Sequence, residues 1–230
     1  MTDRFHINLN RMALFVVIGF AVVVTVRMDF IAMALTNIYL NGIIIGTTIF
    51  GIGLCFAHMF KLIPEYRWVR RFFGGHQLGG VATTELPPFI LRSIAIILNR
   101  AGTSGLSPQT LTSLSDGIMS RFEDMRESIR YITNVLIFMG LLGTFWGLIG
   151  TVGGFADMLG VLDFADENVM AAMQAGVAKP LRGIGMAFSS SLFGLAGSLT
   201  VGFLGLQVQL AQTAILRELE ENLSARTQIC

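Results

Sequence analysis

The chain has 230 residues, 53% of them hydrophobic and only 13% charged, with 16 Lys and Arg against 15 Asp and Glu. With a mean hydropathy of +0.67, this departs from soluble globular composition and predicts an integral membrane protein. A formal charge of +1 without a basic tract argues against nucleic acid, and two cysteines, Cys55 and Cys230, make neither a disulfide framework nor a metal spacing.

In chain order, Arg4 and Arg11 precede an apolar run from Met12 to Val26. It is short for a span unless Ile7 and Leu9 sink in and Arg11 snorkels. A basic start, an apolar middle and Ala32-Met33-Ala34 superficially fit a signal peptide, but Arg27 and Asp29 interrupt the approach, so cleavage is not expected. The second span runs from about Leu40 to Phe60 and ends in Lys61, Arg67, Arg70 and Arg71. Nine Lys and Arg lie between Lys61 and Arg130, against one in the loop near 27–41 and two in the loop 156–182. Positive residues stay cytoplasmic, so the long segment and both termini are expected inside.

The fold class expected is all-α: an integral membrane protein with four transmembrane helices, the third and fourth carrying long cytoplasmic extensions. The spans fall at 12–26, 40–60, 131–155 and 184–206. The organisation reads as an N-terminal hairpin, 1–60; a cytoplasmic helical segment, 61–130; a membrane helix pair, 131–206, with an outer loop at 156–183; and a cytoplasmic helical tail, 207–230.

Within the cytoplasmic segment GGHQLGG, TTELPP and AGTSGLSP read as turns around a short amphipathic helix, Phe89 to Asn99. Ser107-Pro108 opens the next helix as cap and first-turn proline. Leu111, Leu114, Ile118, Phe122, Met125 and Ile129 follow at three- and four-residue steps. No breaker separates Arg121 from Tyr131, which predicts one rod running into span three, with Gly117 its weak point. Glu123, Asp124, Arg126, Glu127 and Arg130 read as a solvated face. Asp157, Asp163, Asp166 and Glu167 make the outer loop acidic, 168–178 allows a brief helix, and Lys179-Pro180 reads as a start to span four. Past Leu206, Leu216, Leu219 and Leu223 predict an amphipathic continuation packed beside 108–130.

Spans three and four carry the distinctive pattern. In Met139 to Phe155, Gly140, Gly143, Gly147, Gly150 and Gly154 recur at helical spacing with Thr144 and Thr151 among them. Gly183, Ala187, Ser190, Ser191, Gly194, Gly197, Ser198 and Gly202 form an answering stripe. In lipid, helices associate through close approach at small residues, so Gly140, Gly143, Gly147, Gly194 and Ala187 are expected at a packing face that carries hydroxyls.

Catalytic chemistry is not expected. No nucleophile, base and orienting group can be assembled, and His6, His58 and His76 cannot form a facing haem pair, so the protein reads as no enzyme, without cofactor or metal. Spans three and four contain no Asp, Glu, Lys or Arg. Their hydroxyls, on Thr144, Thr151, Ser189, Ser190, Ser191, Ser198 and Thr200, can orient water but cannot take up and release protons. A proton path here needs an acid from a second polypeptide.

LLGTFWGLIGTV resembles the second-helix signature of the MotA/TolQ/ExbB proton-channel family, and Pro180 to Leu195 resembles its third. The resemblance covers roughly the last half of the chain, and the first hundred residues only in layout. It implies a pentameric ring in the bacterial inner membrane around two copies of a single-span MotB/TolR/ExbD-like subunit, whose transmembrane aspartate carries the proton. Ion flow then does mechanical work, as in a stator. Thr144 matches the pore-lining threonine, and Ser191 falls where many members have the second; Thr151 and Ser190 join them as ion-pathway candidates. Met186 departs from the pattern, because ExbB- and TolQ-like members often place a glutamate there. The branch, the ion, H⁺ or Na⁺, and the process driven stay open. The alternatives are a small-solute permease, which its lack of clear internal repeats argues against, and a non-conducting membrane scaffold.

Overall fold

A computed structural model describes residues 2–74, 91–92, 108–161 and 169–227, and all regular structure among them is helical. Five helices follow in order: α1 Thr2–Thr25, α2 Arg27–Thr36, α3 Ile38–Gly74, α4 Pro108–Val161 and α5 Val169–Thr227. All but α2 are long and apolar enough to cross a bilayer. Apart from 91–92, the expected helix at 89–99 lies outside the described residues, as do most of its flanking turns, His76 and the acidic residues 163–167.

The first connection differs from expectation. Residues 27–41, read as a loop, are mostly helix: Val26 and Phe30 keep i→i−4 backbone bonds to Val22 and Val26, so α2 continues α1 with only a bend. The chain reverses instead at Asn37, which leaves helical geometry at φ −143° and ψ 88°. Its Oδ1 accepts from the Leu40 amide at 3.2 Å, three residues on. Asn37 thus caps the first turn of α3.

α4 runs 54 residues without a break, through Gly117, as expected from the absence of a breaker. It starts at Pro108, where the missing amide proton leaves no bond unmade. α5 corrects the reading of Pro180 as a helix start. The helix begins at Val169 and carries Pro180 in its interior, as α3 carries Pro64. Each proline removes one backbone bond, and long apolar helices absorb that loss through neighbouring bonds and side chains.

The chain divides into two compact units. The first gathers 1–14, 53–129 and 204–230. Its core includes Met59, Leu62 and Val69 of α3, Ile118, Phe122 and Ile129 of α4, and Val208, Ala211, Ile215 and Leu219 of α5, all nearly or wholly buried. The tail does pack beside the 108–130 stretch: Arg126 Nε donates to Gln212 Oε1 at 2.9 Å, and Gln212 Nε2 reaches Met125 Sδ at 3.6 Å. Arg126 is therefore not on a solvated face. Its side chain is only 16% exposed and its 3.8 Å ion pair with Glu123 is the looser of its two partnerships.

The second unit gathers 15–52 and 130–203. Phe15 stacks on Phe203 with ring centres 4.3 Å apart, and Phe30 meets Phe193 edge-on at 5.0 Å, so α1 and α2 both lie against α5. Asn37 Nδ2 also reaches Met186 Sδ at 3.4 Å, bringing α3 to the same helix.

Candidate functional site: the small-residue seam

Inside the second unit α4 and α5 meet along the two predicted stripes. A Cβ on Gly147 would stand 2.6 Å from the Ala187 nitrogen and Gly183 oxygen; one on Gly194 would stand 2.7 Å from Gly140 Cα. Gly143 lies against Ser190, Thr151 against Gly183, Gly154 against Pro180 and Met158 against Gly176. Each step toward the C-terminus of α4 moves the contact back along α5, so the helices are antiparallel. Gly140, Gly143, Gly147, Gly194 and Ala187 all sit at this seam. Gly150 does not: it is exposed, with nothing within 4 Å of its Cβ position, and Thr151 takes its place in the buried row. A step of three from Gly147 turns Gly150 out of the face, whereas a step of four returns Thr151 to it.

The hydroxyls separate into two groups. Ser190 and Thr151 are buried and engaged within the chain. Ser190 Oγ donates to Asn41 Oδ1 at 2.8 Å, and Thr151 Oγ1 lies 2.9 Å from Gly147 O and 3.4 Å from Pro180 O. Thr144 and Ser191 are half-buried. Each follows a seam residue, Gly143 or Ser190, and a residue one further along is rotated by about 100°. On antiparallel helices those two rotations carry both side chains to the same side of the contact. The other side is taken by α3, since a Cβ on Gly143 would also meet Leu40. Thr144 and Ser191 therefore edge the side away from α3, where Phe188, Leu195 and Leu199 of α5 stand exposed. The Thr144 hydroxyl donates to Leu141 O at 2.6 Å, leaving its oxygen lone pairs as acceptors.

Asn41 is the residue sequence reading missed. It is fully buried, and its amide donates to Met33 O at 3.0 Å, with longer approaches to Ala34 O and Ser189 Oγ. Its oxygen takes the Ser190 proton, so one side chain ties α2, α3 and α5 together. The available signal was an Asn37/Asn41 pair one helical turn apart in an apolar run. Away from these groups, Lys179 and Asp157 pair across α4 and α5, both largely exposed.

No family model, curated protein or solved structure matches the chain significantly. Among the described residues no group of three His, Cys, Asp or Glu could hold a metal ion. From 131 to 156 and from 183 to 216 the chain has no Asp, Glu, Lys, Arg or His.

Proposed function

We propose that this chain is a ring-forming subunit of an ion-motive-force-driven motor in the bacterial inner membrane, of the MotA/TolQ/ExbB kind, conducting protons together with a single-span partner that carries a membrane aspartate. Both termini and the extensions of α4 and α5 lie in the cytoplasm, the ring is a pentamer, and two partner copies occupy its centre. The observation that carries this reading is the convergence of Thr144 and Ser191 on one edge of the α4–α5 seam, beside an exposed apolar face and with no ionisable group on α4 or α5 at their level. Thr144 offers lone pairs to a protonated carboxylic acid or to water, while the acid itself comes from the partner. The glycines of the seam hold the two hydroxyl-bearing edges at fixed separation. Thr151 and Ser190, closed within the chain, act by holding that geometry.

The test is ion-driven activity in the assembled complex. Thr144→Val and Ser191→Ala are expected to abolish it while native mass spectrometry still detects the ring. Unchanged activity in both variants rejects the ion-path assignment, and a monomeric or dimeric particle rejects the ring. The closed seam and the intrahelical bonds of several hydroxyls favour, as a second reading, a non-conducting scaffold. That reading predicts that no acidic single-span protein co-purifies.

A further inference from the structure

α5 carries three serines in a row, Ser189, Ser190 and Ser191. Successive residues on a helix are turned by about 100°, so the three hydroxyls leave the axis in three directions. The rotation of α5 about its own axis therefore decides which of them reaches the edge beside Thr144. Ser189 and Ser190 are buried, and Ser191 is half-buried.

Within the second unit α3 meets α5 at successive levels. Asn37 Nδ2 lies 3.4 Å from Met186 Sδ, and a Cβ on Gly197 would fall 2.3 Å from Thr48 Oγ1. A thioether is a weak acceptor and a glycine surface offers no side-chain group to bond, so these contacts set closeness more than rotation. At Asn41 the contact becomes directional. Its Oδ1 accepts the Ser190 proton at 2.8 Å while its Nδ2 comes to 3.4 Å of Ser189 Oγ, so one planar amide engages two neighbouring hydroxyls. The amide plane is itself fixed, because Nδ2 also donates to Met33 O at 3.0 Å. Turning α5 by one residue step would break the Ser190 bond in a buried setting.

We infer that Asn41 is a positioning residue: by engaging Ser189 and Ser190 on the α3 side, it leaves Ser191 as the hydroxyl of the triplet aimed at the opposite edge, beside Thr144. Asn41 acts through Ser190, from the side of the seam that α3 occupies. Its functional meaning rests on the reading of Thr144 and Ser191 as the ion-path pair; the geometric claim can be tested without ion flux.

The protein carrying Thr144→Cys with Ser191→Cys, in a Cys230→Ser background, reports the arrangement through the rate at which a mild copper oxidant joins the two positions within one chain, read by peptide mass spectrometry. Cys55 is buried. The pair should couple when Asn41 and Ser190 are intact. Asn41→Leu and Ser190→Ala should each slow coupling about tenfold, since the bond demands closely set geometry, and both together should be no slower than either alone. Ser190→Ala, which removes one hydroxyl, keeps the test available if Asn41→Leu does not fold. Arg126→Met, which loosens the other unit, should leave the rate unchanged. An unchanged rate in Ser190→Ala, effects that multiply in the double variant, or equal slowing by Arg126→Met each overturns the positioning role and leaves the proposed function standing. Failure of the pair to couple even with Asn41 and Ser190 in place rejects the shared edge, and with it both the positioning role and the ion-path reading.

Discussion

Gly147→Ala is the sharpest probe of the seam. The added methyl would lie 2.6 Å from two backbone atoms, Ala187 N and Gly183 O, and 2.7 Å from Ala187 Cβ, where ordinary contact begins at 3.4 Å. None of these atoms can rotate aside, so α4 and α5 have to part by roughly 1 Å, a gap that forfeits a quarter to a half of the attraction between facing atoms. Overpacking by itself costs about 1–3 kcal/mol, and loosening of the neighbouring Gly140–Gly194 and Gly143–Ser190 contacts places the expected loss near the top, about 3 kcal/mol. Gly150→Ala is the control. It lies three residues away in the same run, yet its Cβ meets nothing within 4 Å, and the change should stay within about 0.5 kcal/mol of neutral. Reversible unfolding in mixed micelles, followed by far-ultraviolet circular dichroism, measures both. Equal effects at the two positions, or a neutral Gly147→Ala, would refute the antiparallel register.

Asn41→Leu should destabilise by about 1–3 kcal/mol in the same assay, because it takes from the buried Ser190 hydroxyl its acceptor and from the Met33 carbonyl a side-chain donor. Combined with Ser190→Ala, the loss should fall short of additivity. Arg126→Met is expected to lower stability by about 1–2 kcal/mol through Gln212, whose Oε1 loses its donor, and Gln212→Leu in that background should restore part of it. Asp157→Asn should change stability by less than about 1 kcal/mol, and any effect should vanish at high salt, since both partners of the Lys179 pair are largely exposed. A salt-independent loss there would show that the pair is part of the packed seam.

The two small-residue stripes were legible because helical spacing alone decides which residues share a face. That reading identified Gly140, Gly143 and Gly147 on one helix and Ala187 and Gly194 on the other. The same rule left Gly150 and Thr151 undecided, since three and four residues are both close to a full turn. Only the facing helix separates them: Pro180 and Gly183 crowd one angle and leave the other empty. Likewise, an unbroken pattern from Arg121 to Tyr131 was enough to predict a single rod, because nothing local would stop the helix.

What composition and periodicity determined was four helices long and apolar enough to cross a membrane and the helical form of the described residues, since apolar length and the absence of breakers act residue by residue. Tertiary structure decided where the polar groups go. Arg126 reads as solvated until Gln212, 86 residues later, supplies its acceptor, and Asn41 reads as incidental until Ser190 arrives from 149 residues away. Hydrogen-bond partners so distant in sequence leave no local periodicity. Their pairing is fixed by the register of packed helices, a property of the assembled bundle and of no single stretch of it.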